Sequence, residues 1–107
     1  MSRPFGTLVA HKGPKKPQAA PREAYLQDTY GIGQADWYAL KETQGGLCAI
    51  CRKPHRLYVD HDHKTGWVRG LLCGACNYSL GVWRDDAPRF ARAFSYLTRS
   101  KRRAEGL

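Results

Sequence analysis

No stretch of this 107-residue sequence approaches the ~20 consecutive apolar residues that a membrane-spanning helix requires. The opening residues, MSRPFGTLVAHKG, lack the continuous apolar segment of a secretory signal, so export is not expected. Acidic side chains are scarce: nine Asp and Glu stand against 18 Lys and Arg, for a formal net charge of +9. The positive excess sits at both ends and over a central Cys/His segment, while residues 28–47 are net acidic. Such a field favours a polyanion and makes its binding salt-dependent. Taken alone, the same charge also serves solubility. Cysteine is limited to four residues. In a chain expected to stay in a reducing cytoplasm, they read as metal ligands rather than disulfides.

The length suits one domain with a modest core, in which a metal staple would matter. Residues 1 to about 20 hold three of the six prolines and little periodic apolar pattern, and read as a flexible basic arm. PREAYLQDTYG predicts a short helix, with Pro21 in its first turn and Gly31 at its end. GQADWYALKETQGG predicts a second, with Trp37 and Leu40 on one face and Gly45-Gly46 as the stop. RLYV and WVRGLL read as the strands of a hairpin turning at HKTG. A helix is expected after Cys73, through about Gly81, and a last one from Asp86 as cap, with Pro88 in its first turn. Phe90, Phe94 and Leu97 form a stripe in that helix and are expected to be core.

Cys48-x-x-Cys51 and Cys73-x-x-Cys76 are matched pairs separated by 21 residues. Each two-residue gap lets both thiolates of a pair point inward, and two such knuckles complete a tetrahedron around Zn²⁺. Four thiolates leave no open position, so the zinc is read as structural. Between the knuckles stands Asp60-His61-Asp62-His63, and Asn77 follows the last cysteine. In extended chain, Asp60 and Asp62 share one face and His61 and His63 the other, an alternation that a turn after Val59 would break. Carboxylate and amide oxygens are hard ligands suited to Mg²⁺ or Mn²⁺. A neighbouring neutral histidine can take a proton from water. Phosphodiester hydrolysis needs a base, a Lewis acid and stabilisation of the leaving oxygen. Asp62 is equally well read as a turn residue, and His11 and His55 as surface side chains. The competing reading of the whole segment is a non-catalytic zinc module that binds nucleic acid or protein.

GGLCAIC, LYVDHDHKTGWVRGLLCGACN and the LG that follows closely resemble the phage recombination endonuclease VII family, within the HNH or His-Me finger (ββα-metal) nucleases. The flanking YGIGQADWYAL and DDAPRFARAFSYL are similar to segments around this motif in phage members, and the resemblance covers roughly residues 22–98. It implies an α+β fold: a small zinc-stapled ββα-metal core with flanking helices. The expected organisation is the arm over 1–20, N-terminal helices over 21–46, the zinc-bound nuclease core over 47–84, and a C-terminal helix with a basic tail over 85–107. The resemblance assigns Cys48, Cys51, Cys73 and Cys76 to structural zinc, and Asp60 and Asn77 to a catalytic Mg²⁺ or Mn²⁺. It makes His61 the general base and gives His63 an assisting role at the phosphate. The implied activity is DNA endonuclease, on branched or duplex DNA, leaving 5′-phosphate and 3′-hydroxyl ends. Arg69 in the returning strand and Lys64 in the turn are the phosphate-contact candidates. Candidate partners are branched DNA, a second copy of the chain, and a phage recombination or packaging machine, in the cytoplasm of an infected host. One departure stands out: Leu80 occupies the position where the best-known junction-resolving member has a glutamate.

Overall fold

Leu57 shows how this fold is put together, because its backbone pairs with a side chain instead of a strand. The Leu57 N–H donates to Gln18 Oε1 at 2.8 Å, and Gln18 Nε2 donates to the Leu57 carbonyl at 2.9 Å. The computed structural model describes residues 17–104, with side chains described through residue 99. Most of the expected basic arm therefore lies outside the described residues. Its last four residues are tied down: besides Gln18, the Ala20 N–H donates to the Tyr38 hydroxyl at 3.0 Å.

The described residues form four helices and one two-stranded antiparallel sheet: α1 (Glu23–Tyr30), α2 (Gln34–Thr43), β1 (Tyr58–His61), β2 (Val68–Leu72), α3 (Gly74–Val82) and α4 (Ala87–Ala104). This is a small α+β architecture. Among the described residues, no helix is long and apolar enough to cross a membrane. The chain divides into one unit running up to Asn77 and another starting at Tyr78.

In the first unit, α1 starts at Glu23 with Arg22 as its N-cap, so Pro21 lies just outside the first turn where it was expected. Gly31 closes α1 at φ 72°, a left-handed conformation that glycine adopts without cost. The two helices are tied at their starts by Glu23, whose Oε1 accepts the Gln34 N–H at 2.8 Å. Asp36 accepts the Gly33 N–H at 2.9 Å. The core is Leu26, Trp37, Leu47, Leu57, Val59, Leu71 and Leu72, with Cys48 and Cys73 buried among the apolar residues. Leu40, expected beside Trp37, is half-buried.

The first strand is displaced from the expected RLYV. Pairing begins at Tyr58 and runs on through Asp60 and His61, while Gln18 holds the outward-facing backbone groups of Leu57. The hairpin turn is fixed by Asp62, whose Oδ1 accepts the N–H groups of Lys64 at 2.7 Å and Thr65 at 3.2 Å. Trp67 falls in the turn rather than in β2 and is 76% exposed.

The second unit corrects one expectation. Asp86 does cap α4, its Oδ1 accepting the Arg89 N–H at 3.1 Å. The Phe90–Phe94–Leu97 stripe, however, is not core: Phe94 is 71% and Leu97 66% exposed. Phe90 is half-buried, its ring 4.8 Å from that of Trp83. A single helix pair encloses too little volume to bury three large side chains.

Candidate metal centre and nuclease site

The four cysteine Sγ atoms lie within 4.8 Å of one another. Among the described residues, they are the one group of three or more His, Cys, Asp or Glu side chains so arranged. Cys51 Sγ and Cys73 Sγ, from different knuckles, stand 3.8 Å apart. That separation is far beyond a disulfide bond and equals the edge of a tetrahedron with metal–sulfur bonds of ~2.3 Å. Each knuckle is also closed by its own backbone: the Ile50 N–H reaches Cys48 Sγ and the Cys76 N–H reaches Cys73 Sγ, both at 3.4 Å. The donor set and spacing fit a structural zinc.

The thiols are unequal. Burial pushes Cys48 up, but backbone hydrogen bonds at Cys73, Cys51 and Ile50 outweigh it and bring the thiol down to about 6. Burial pushes Cys76 up to about 12, helped by the neighbouring sulfurs, and Cys51 also rises through burial. One ligand is therefore a ready thiolate at neutral pH, while these two must lose protons to a metal.

The Asp-His-Asp-His segment crosses the end of β1. Tyr58, Val59 and Asp60 pair with Leu72, Leu71 and Gly70, but His61 pairs with Val68. Arg69 is thus skipped by the ladder. In an unbroken ladder it would stand opposite His61, on the face away from Asp60. The bulge turns its side chain instead onto Asp60. Arg69 Nε donates to Asp60 Oδ2 at 2.7 Å and a terminal guanidinium nitrogen donates to Oδ1 at 3.0 Å. The Asp60 side chain is only 7% exposed and the Arg69 side chain 35%. A buried carboxylate gripped by a two-pronged guanidinium has its charge compensated and its plane fixed.

His61 is half-buried, with the His63 ring centroid at 4.7 Å and the Tyr30 centroid at 5.5 Å. Burial raises the Tyr30 hydroxyl above its usual range, and a hydrogen bond to Tyr25 adds to the shift, so it remains protonated. Asp62 belongs to the turn, and exposed Lys64 to its tip. Asn77 sits in the first turn of α3, half-buried, its N–H bonded to the carbonyl of Cys73 in the second cysteine knuckle at 3.0 Å. The structure therefore joins Asp60 to Arg69 and His61 to His63, and links Asn77 through its backbone to the cysteine cage.

The family model of recombination endonuclease VII matches residues 23–99. The chain belongs to the recombination endonuclease VII family. It is similar to the Gene 59 protein of Mycobacterium phage L5, 51% identical over 80 residues that make up 70% of this chain and 49% of that one. The Gene 59 protein of Mycobacterium phage D29 is 50% identical over 80 residues, 70% of this chain and 48% of that one. The chain thus spans about half the length of the curated relatives it matches. No solved structure matches it.

Two residues, Tyr30 and Gln44, and one pairing, Arg69 with Asp60, are contributed to this candidate site by the fold and carried no signal in the sequence. Tyr30 is last in α1, far from the motif, and only the fold brings it to His61. The grip of Arg69 on Asp60 depends on a bulge that no residue announces. Gln44, in the TQGG stop of α2, reaches the other strand of the hairpin, its Oε1 accepting the Leu71 N–H at 2.9 Å. A lone glutamine before two glycines carries no signal beyond helix termination.

Proposed function

We propose that the chain is a metal-dependent DNA endonuclease of the HNH type that hydrolyses phosphodiester bonds with His61 as general base. The observation that carries this reading is the position of His61. It ends a strand on the hairpin that leads into the cysteine cage, half-buried between the rings of Tyr30 and His63 and adjacent to Asp60. An imidazole so confined holds one orientation, which a base aimed at a single water requires.

Asp60 and Asn77 would hold the divalent cation. Their carboxylate and amide oxygens suit a hard ion, and each Asp60 oxygen retains acceptor capacity beyond its one bond to Arg69. When bound, such an ion supplies Lewis acidity at the phosphate and stabilises the leaving oxygen. His61 takes a proton from water as the water oxygen bonds to phosphorus. The bond to the 3′-oxygen breaks, leaving a 5′-phosphate and a 3′-hydroxyl. His63, exposed beside His61, would hydrogen-bond the scissile phosphate. Lys64 at the hairpin tip adds a contact to the DNA backbone. Resolution of a branched junction needs two opposed cuts, so a single copy nicks and a pair resolves.

The test is relaxation of supercoiled plasmid with Mg²⁺ or Mn²⁺. His61→Ala should lower the cleavage rate by about 10²- to 10⁴-fold, the usual worth of a general base. Equal rates for the two proteins would remove His61 from the role.

A further inference from the structure

Asp60 is the carboxylate read above as a metal ligand, yet both its oxygens are already engaged by a cation from the protein itself. Arg69 Nε sits 2.7 Å from Oδ2, a second guanidinium nitrogen 3.0 Å from Oδ1, and the carboxylate is nearly closed to solvent. Three features build this pairing. The bulge removes Arg69 from the ladder and directs it across the sheet. Gly70, directly opposite Asp60, offers no side chain to intervene. Gly70 is itself held clear, because a Cβ there would lie 3.1 Å from Gln44 Oε1. The guanidinium is the more exposed partner, its side chain 35% accessible against 7% for Asp60.

We infer that Arg69 is a positioning residue that acts through Asp60, as an internal counter-ion that keeps divalent-cation affinity low until a DNA phosphate draws the guanidinium away. This rests on the reading of Asp60 as a metal carboxylate and deepens it. The reasoning is electrostatic. A unit positive charge in contact with the ligand repels an incoming divalent ion and competes for the same oxygens in a poorly solvated place. A phosphate beside Arg69 offers it an equivalent two-pronged partner, so loss of the Asp60 bonds is offset. Metal and DNA then favour each other's binding, and by linkage the coupling is the same from either side.

The experiment is Mn²⁺ titration of zinc-loaded protein without DNA, followed by the enhancement of water proton relaxation. Four proteins are compared: wild type, Arg69→Gln, Arg69→Lys and Asp60→Asn. Arg69→Gln, which removes the charge, should tighten Mn²⁺ binding by about tenfold. Arg69→Lys keeps the charge but not the fork, and should stay within about threefold of wild type. Asp60→Asn should lose the site. Unchanged or weaker Mn²⁺ binding in Arg69→Gln, with Asp60→Asn silent, would overturn the counter-ion role and leave the metal site standing. Mn²⁺ binding by Asp60→Asn equal to wild type would overturn both. Zinc content and thermal melting of each variant establish that the hairpin is folded; if Arg69→Gln is not, Mn²⁺ titration of wild type with and without a non-cleavable phosphorothioate duplex decides, tighter binding with the duplex being expected and equal binding overturning the counter-ion role.

Discussion

The side-chain amide of Gln44 pairs with the backbone of Leu71 as a neighbouring strand would: Oε1 accepts the Leu71 N–H at 2.9 Å and Nε2 donates to the Leu71 carbonyl at 2.9 Å. The same nitrogen donates to the Leu47 carbonyl at 2.7 Å, just ahead of the first cysteine knuckle. One residue at the end of α2 thereby fixes the hairpin and the cage together. A two-stranded hairpin is marginal in isolation, so such lateral support decides whether it persists.

Gln44→Leu should cost on the order of 2–4 kcal/mol, because it leaves the Leu71 N–H and the Leu47 carbonyl without this partner, while the Leu71 carbonyl keeps the Ala49 N–H at 3.1 Å. Urea unfolding with zinc saturating would measure it. Gly70→Ala alone should cost about 1 kcal/mol, since the new methyl meets Gln44 Oε1 at 3.1 Å. In the Gln44→Leu background that contact is gone, so the two effects should not add, and a double-mutant cycle reports the coupling directly.

Zinc removal should unfold the first unit, and its pH dependence follows from the thiols. At neutral pH, uptake should expel protons from Cys51 and Cys76, whose thiols are raised by burial, while Cys48, at about 6, is already ionised. As pH falls through about 6, Cys48 also binds a proton that the metal must displace. Affinity therefore falls with falling pH, and more steeply below that point. Calorimetry in buffers of different ionisation enthalpy counts the protons, and a chromophoric chelator follows the release of zinc. Proton uptake on zinc binding at neutral pH would contradict this order.

The two aspartates of the motif should separate cleanly. Asp62→Ala removes the acceptor for Lys64 and Thr65 N–H groups in the turn, costing about 1 kcal/mol and changing cleavage little. Asp60→Asn should reduce cleavage to the level of His61→Ala. Plasmid relaxation beside thermal melting distinguishes them. Comparable loss of activity in both variants would mean that the turn, rather than the Asp60 carboxylate, is what the reaction needs.

Tyr30 confines His61 by ring contact alone, with centroids 5.5 Å apart. Tyr30→Phe should therefore keep near-normal turnover, whereas Tyr30→Ala should lower kcat by about tenfold with little change in KM, the signature of a misdirected base. Loss of the Tyr30 ring-current shift on the His61 ring protons would be seen by NMR in the Ala variant only.

Much of this was legible from local pattern. The paired C-x-x-C motifs fix which sulfurs meet, because each knuckle is a local turn and two of them leave one way to enclose a tetrahedral ion. Asp86 and Gly31 mark helix ends for the same local reason. The hairpin could be anticipated as well, though not its limits: β1 runs from Tyr58 to His61, and the outward-facing backbone of Leu57 is held by Gln18, 39 residues away. The stripe on α4 misled, since helical periodicity reports an apolar face and not whether anything covers it.

Residue types and their spacing, acting through short-range geometry, were enough to determine the thiolate cage, the charge and the order of elements. Only the tertiary structure decided that Asp60 faces Arg69, that Tyr30 flanks His61, and that Gln44 supports the sheet. The physical reason is that a bulge of one residue reverses the side to which a strand side chain points, and side chains remote in sequence become neighbours only when the core closes.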